Sequence, residues 1–315
     1  STPSNSSAAS DVYKRQVTNN IEMPRIVEEE IQQNDFQKIE SMWFEEEKLV
    51  EEIKNIAGRK IGCDVPSRDF IPVTLEKLHF PLLQEEIERY KSLGKESSLI
   101  MTDLCMGIQQ GQTEYEIAGK LSKLLWEKGI VPVVILIASD ERIEKFRHPL
   151  PTDKKIERTV MVVLCARRDG LIVSLTRIVH FGQMAPELKK KHLAVCRVDS
   201  AFIGGTTPGR EIGEVFSSAI EIYKKEGFEE EWKRHHQGGP TGYLTRYSRA
   251  YKTSKEKIEK NQAFAWNPSI TGTKSEDTII TNENGCEIIT EDKRWPLLEF
   301  EYNGRKIFRP DILVK

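Results

Sequence analysis

A chain of 315 residues, 38% hydrophobic and 30% charged, is long enough for one large domain or two ordinary ones with real cores. Forty-seven basic against 49 acidic side chains leave a formal charge of −2, which excludes a net electrostatic pull toward nucleic acid or an anionic membrane. A small-molecule substrate or short peptide is the expected partner. Five scattered cysteines (Cys63, Cys105, Cys165, Cys196, Cys286), none in CxxC spacing, signal neither a disulfide framework nor a structural zinc site. The longest apolar run, Ile130 to Ala138, falls far short of the roughly 20 residues of a membrane helix, so a cytoplasmic chain is expected.

In chain order, residues 1–16 (STPSNSSAASDVYKRQ) have no apolar periodicity and no apolar core of a secretory signal. They read as a disordered, non-native leader, which implies N-terminal truncation. Residues 17–76 alternate strand-like pieces (KIGCDVP, FIPVTL) with acidic helical stretches such as FEEEKLVEEIKNIAG, the pattern of a partial α/β domain. So short a segment is small for an independent core. A boundary is expected near 73–83, followed by a helix entering at FPLLQEEIERYKSLG.

The remainder, 77–315, carries an internal duplication. Gly111-QTEYEIAGKLSKLLWEK-Gly129 and Gly209-REIGEVFSSAIEIYKKE-Gly227 share one Gly-to-Gly span, with Glu116 matching Glu214 and Leu121, Leu124 and Leu125 matching Ala219, Ile222 and Tyr223. Each copy predicts a glycine turn and then an amphipathic helix with one buried face. A β-rich stretch follows each: MVVLCARRDGLIVSLTRIVHFG, with a hairpin signal at Asp169-Gly170, and FAWNPSITGTKSEDTIITNENGCEIIT, with turns at Thr271-Gly272 and Asn284-Gly285. A last hairpin is expected around Asn303-Gly304. Gly204-Gly205 and Pro208-Gly209 lack the Lys-Ser/Thr ending of a phosphate loop and read as a helix entry. The Lys189-Lys190-Lys191 run reads as a solvated helix face.

This order of motifs, with EEIERYKSLG, RHPLPTDKKIERTVMVVLCARRDGLIVSLTR, TTPGREIGEVF, HHQGGPTGY and FAWNPSITGTKSEDTIITNENGCEIIT spanning about 83–295, resembles the creatinase, aminopeptidase P and prolidase superfamily. The resemblance implies an α+β pita-bread fold, two pseudo-symmetric helix-plus-hairpin halves around a curved antiparallel sheet. It also implies a preceding α/β domain and a homodimer as one expected assembly. The family's metallopeptidases hold two metal ions with two Asp, a His and two Glu, because hard anionic oxygens must bridge two divalent cations. Here the matching positions are Val163, Ser174, Gly239 (with His235 or His236 brought closer by a shift), Asn267 and Glu276, so one position in five keeps its carboxylate. No metal and no other cofactor is expected.

Creatinase and its metal-poor relatives show by resemblance what chemistry survives. His148, in Arg147-His148-Pro149, matches the family's proton-transfer histidine, against the bland reading that it packs beside the prolines. His235 matches a substrate-contacting histidine, and His236 stands beside it. Adjacent residues on an extended segment point opposite ways, so one of the two is expected to be structural. Glu276 would orient water or a cationic nitrogen, or else form an ion pair with Arg177 or Lys274. Asn267, Ser174, Arg177, Gly239 and Tyr243 complete the expected substrate site, and Val163 and Cys165 are expected to fill core volume. The leading expectation is a metal-independent hydrolase of a small C–N bond using His148, Glu276 and His235. An Xaa-Pro metallopeptidase and a non-catalytic binding module are the alternatives.

Overall fold

A computed structural model of the chain describes residues 14–31, 36–58, 60–64, 68–73 and 80–315. The chain divides into two units, Ser1–Leu75 and Glu76–Lys315. In the first, β1 (Lys14–Asn19) and β2 (Phe36–Ser41) pair in parallel, joined through the short α1 (Met23–Arg25) and a π turn, Ile26–Glu30. α2 (Glu46–Ala57) ends at Gly58, and β3 (Gly62–Cys63) pairs in parallel with β4 (Ile71–Pro72). The strand-like pieces KIGCDVP and FIPVTL contain β3 and β4, and the acidic stretch FEEEKLVEEIKNIAG contains α2. Of the leader read as disordered, 1–13 lies outside the described residues, and 14–16 belong to β1.

The second unit is two copies of one plan. α3 (Gln84–Gly107) and α4 (Glu114–Trp126) precede β5 (Val131–Ser139), a one-turn α5 (Glu141–Lys145), and the hairpin of β6 (Thr159–Arg168) and β7 (Leu171–His180). α6 (Pro186–Gly205) and α7 (Ile212–Lys225) precede β8 (Gly238–Thr241), β9 (Ala263–Trp266), the small hairpin of β10 (Ser269–Ile270) and β11 (Thr273–Lys274), then β12 (Asp277–Asn282) and β13 (Gly285–Ile288). A closing hairpin, β14 (Leu297–Tyr302) and β15 (Arg305–Pro310), leads to β16 (Leu313–Val314). The sheets run β16-β7-β6-β5 and β13-β12-β9-β8, antiparallel except where β16 meets β7.

The duplication is carried by backbone geometry. Gly111, Gly129, Gly209 and Gly227 all sit at positive φ, between 65° and 87°, where side chains other than glycine's are strained. The two copies repeat their anchoring as well: the amide of Gly111 donates to the carbonyl of Ile156 at 2.9 Å, and that of Gly209 to Ile258 at 2.8 Å. Thr113 accepts from the Glu116 amide at the start of α4 while Glu116 reaches back to the Thr113 amide, a reciprocal cap. In the second copy α7 has no side-chain cap.

Each half buries its own core. α3 packs on β6 and β7 and α4 on β5, burying Leu93, Leu104, Leu121 and Leu125 in one core, each burial stabilising by about 1.5–3 kcal/mol. α6 and α7 cover β9 and β12, where Phe202 stacks on Trp266 at 4.5 Å and the indole N–H donates to Thr206. The halves join where β7 meets β12: the Thr176 amide donates to the Glu276 carbonyl at 3.1 Å, and the Ser174 amide to Thr278 Oγ1 at 2.7 Å.

Candidate active site

Extended chain alternates its side chains, and residues 273–277 use both faces. Thr273, Ser275 and Asp277 point into the protein. Thr273 meets His192 Nδ1 at 2.7 Å, Ser275 donates to Asp199 at 2.6 Å, and Asp277 pairs with Arg309 at 2.6 Å and Arg177 at 3.0 Å. Burial pushes the Asp199 carboxyl up to about 6 even though Arg309 lies 2.8 Å away. Two acids and two arginines thus balance behind the strand. Lys274 and Glu276 face the other way, into a cavity of about 570 Å³.

That cavity is walled by β5 (Val133, Val134, Ile135, Leu136), floored by Val163 and Cys165 of β6, and lined on its polar side by His148, His236, Arg246, Asn267, Lys274 and Glu276. Both oxygens of Glu276 are engaged: Lys274 Nζ lies 2.7 Å from Oε2, Arg246 Nη2 lies 3.3 Å from Oε1, and Thr176 donates to Oε2 at 2.7 Å. Burial alone would raise its carboxyl, but Lys274 and Arg246 outweigh that and hold it below the usual carboxylate range. Arg246 was not anticipated from sequence. It stands in an irregular loop that carries no periodicity.

The three histidines gather at one end. His148 is exposed, and its Nε2 lies 2.9 Å from His235 Nε2, so one ring donates and the other accepts. His235 and His236 stack at 4.3 Å although His235 has extended backbone, φ −156° and ψ 147°, just after the 3-10 turn Glu231–Arg234. Burial, then Lys274, lowers His235 to about 2; burial, then Arg246 and Lys274, lowers His236 to about 4. Burial likewise lowers His148. All three imidazoles are neutral at pH 7. His236, rather than His235, lines the cavity with His148.

The structure brings His148, His236, Asn267 and Glu276 together and sets His235 directly behind His148. Ser174, fully buried, lies one layer back, donating to Cys165 Sγ at 3.3 Å and accepting from Arg246 at 3.5 Å. Val163 and Cys165 line the cavity rather than merely filling core. Three expected residues are elsewhere. Arg177 faces the far side of β7, against Asp277 and the Thr290 carbonyl, so Glu276 takes Lys274 and not Arg177 as its partner. Tyr243 packs on the Asp169-Gly170 turn and donates to Glu86. Gly239, at φ +150°, is pressed against backbone: a Cβ there would stand 2.4 Å from the Ser248 carbonyl oxygen.

These contacts decide whether a pair of divalent cations fits. Of the five matching positions, Val163 has no donor, Gly239 has no room for a side chain, and Ser174 and Asn267 are uncharged. Glu276 already has two cationic side chains on its oxygens. The dinuclear group does not fit these residues. Among the described residues, His148, His235 and His236 form a cluster whose ligand atoms lie within 4.8 Å of one another. The positive charges of Arg147, Arg246, Arg249 and Lys274, which depress those imidazoles, oppose a divalent cation there too.

Comparison with known proteins accords with this architecture. An Xaa-Pro dipeptidase of Pyrococcus furiosus is 24% identical over 221 residues, 67% of this chain and 63% of that protein, so the chain spans less than two thirds of its relative. An uncharacterised peptidase of Staphylococcus aureus is 21% identical over 245 residues, 73% of this chain and 68% of its own length. Among solved structures, the X-Pro aminopeptidase of Thermotoga maritima superposes with a TM-score of 0.79 at 20% identity, covering 97% of this chain and 88% of that one. The Xaa-Pro dipeptidase of Bacillus anthracis gives 0.78 at 18% identity, covering 95% and 85%. The N-terminal domain of a FACT complex subunit from Cicer arietinum gives 0.66 at 11%, covering 85% and 78%. The profile of Metallopeptidase family M24 matches residues 88–290. With its pita-bread fold and well over half its length matched, the chain belongs to the M24 metallopeptidase family, within the creatinase, aminopeptidase P and prolidase superfamily.

Proposed function

We propose that this chain is a metal-independent hydrolase of a small C–N bond, in an amide, amidine or guanidino substrate. One observation carries the reading: Lys274 and Arg246 stand on the two oxygens of Glu276, beside neutral His148 and His236 in one cavity. Fixed cations aimed into a cavity with a largely apolar wall stabilise the negative charge that develops on the attacked carbon's heteroatom, the task otherwise given to a metal ion. His148 takes a proton from the attacking water as the C–O bond forms and returns it to the leaving nitrogen as the C–N bond breaks, so the proton count balances. His235, sharing a proton with His148 at 2.9 Å, orients that ring. Glu276, with both oxygens engaged, positions Lys274 and Arg246.

The test is turnover by chelator-treated protein of a panel of small amides, amidines and guanidino compounds. His148→Ala should lower kcat by about 10²–10⁴-fold; an undiminished kcat overturns the assignment. The names of the relatives favour a second reading, an Xaa-Pro dipeptidase or aminopeptidase. Cleavage of Xaa-Pro dipeptides that appears only with added manganese would establish it against the first. The absence of an unengaged carboxylate oxygen on Glu276 favours a third, a binding module without catalysis. That reading requires the cavity to bind ligand and turn over nothing in the panel.

A further inference from the structure

A second cavity, of about 260 Å³, adjoins the histidine stack and is built from the second half alone. Its walls come from α7, the 3-10 turn Glu231–Arg234, the chain entering β8 and the loop at 249–251. His236 lines both this cavity and the larger one, and it is the one residue they share. Their chemistry differs. The larger cavity is walled by aliphatic side chains of β5, whereas this one has three aromatic rings. Phe216, 5% exposed on α7, meets Trp232 edge-on at 5.8 Å, and Tyr251, 54% exposed, completes the set.

Three cations line it as well, Lys233, Arg234 and Arg249, and among the described residues no carboxylate does. Lys233 lies 2.7 Å from Glu230, and Arg234 lies 3.7 Å from Glu231, which Arg147 approaches more closely at 2.6 Å. The exposed Arg249 has no hydrogen bond or ion pair among the described residues. At least one positive charge is therefore left in excess beside the rings. Flat aromatic faces receive a planar ring, and a guanidinium offers an anion a fork of donors, so the two features select one kind of ligand.

We propose that this cavity is a second, non-catalytic binding site for a planar aromatic anion, an aryl carboxylate or aryl phosphate in chemical class. The ring lies against Trp232 and Tyr251, with the anion on Arg249. A ligand so placed touches the His235–His236 stack without using Lys274, Arg246 or Glu276. The proposal is independent of the hydrolase reading, since binding is measured without turnover.

The probes are 2-naphthoate, 2-naphthyl phosphate and the uncharged 2-naphthamide, titrated calorimetrically into the full chain. At least one anion should bind with Kd below about 1 mM and at least about tenfold more tightly than the amide. The tighter of the two anions identifies the carboxylate or the phosphate as the group the site takes. Arg249→Gln should reduce the preference for the anion to less than about twofold, and Tyr251→Ala should weaken all binding by about threefold or more. Both side chains are exposed and neither lines the larger cavity, so these losses locate the ligand here. NMR should show the ring resonances of His235 and His236 shifting as the anion is added. Equal binding of charged and uncharged probes, no binding up to about 10 mM, a preference undiminished in Arg249→Gln, affinity undiminished in Tyr251→Ala, or binding that leaves both imidazoles unmoved overturns the proposal.

Discussion

Replacing Lys274 by methionine tests how firmly the cavity depends on its own cations. The Lys274 and Glu276 side chains are 6% and 3% exposed at 2.7 Å, and removing one partner of so buried a pair costs about 3–5 kcal/mol, because the other charge is left uncompensated. Glu276 keeps Arg246 at 3.3 Å and the Thr176 hydroxyl at 2.7 Å, which puts the expected loss near the lower end, about 3 kcal/mol. Adding Glu276→Gln removes the stranded charge while preserving shape, so the double variant should recover about 2 kcal/mol. Urea unfolding followed by tryptophan fluorescence reads both numbers, since Trp266 and Trp295 lie in the cores of this unit. The pH profile gives an independent check. A carboxyl held below its unfolded value contributes stability that is present above about pH 4.3 and is lost as pH falls through the folded value. Glu276→Gln should lack that acid limb. A single variant within about 1 kcal/mol of wild type, or a double variant as costly as the two singles summed, would refute the reasoning.

Two further outcomes follow from the same geometry. His236, lowered to about 4, should show an NMR ring-proton midpoint near that value. Because the unfolded state takes up the proton first, at about 6.5, stability should decline as pH falls from 6.5 toward 4, and a midpoint at the ordinary value contradicts the assignment. Gly239→His, which reinstates the family's ligand type, should destabilise by more than about 2 kcal/mol through the positive φ and the Ser248 carbonyl 2.4 Å from its Cβ. A well-folded Gly239→His protein would mean that the loop at Ser248 yields more easily than its packing suggests.

Much of this architecture is legible before any coordinates, for reasons of local chemistry. Asp169-Gly170 and Asn303-Gly304 take positive φ at both residues, as tight hairpins with right-handed twist require. The four glycines bounding α4 and α7 mark the repeat, since only glycine enters those turns without strain. Strand alternation governs the site as well: Thr176 meeting Glu276 forces Arg177 to the opposite face, where it finds Asp277. By the same rule Lys274 must share a face with Glu276. Arg246 was not legible, because no periodicity governs the loop that carries it. Nor was the Asp199, Asp277 and Arg309 network, whose members lie far apart in sequence and meet only through the packing of α6 and β15 on β12.

Behind these details stands one arrangement: two side-chain cations, Lys274 and Arg246, sit on the two oxygens of the Glu276 carboxylate. The direct measurement is metal stoichiometry by mass spectrometry after equilibration with excess manganese and removal of unbound ion. The account predicts no stoichiometric manganese and a fold unchanged by chelator. Two manganese ions retained per chain would contradict it.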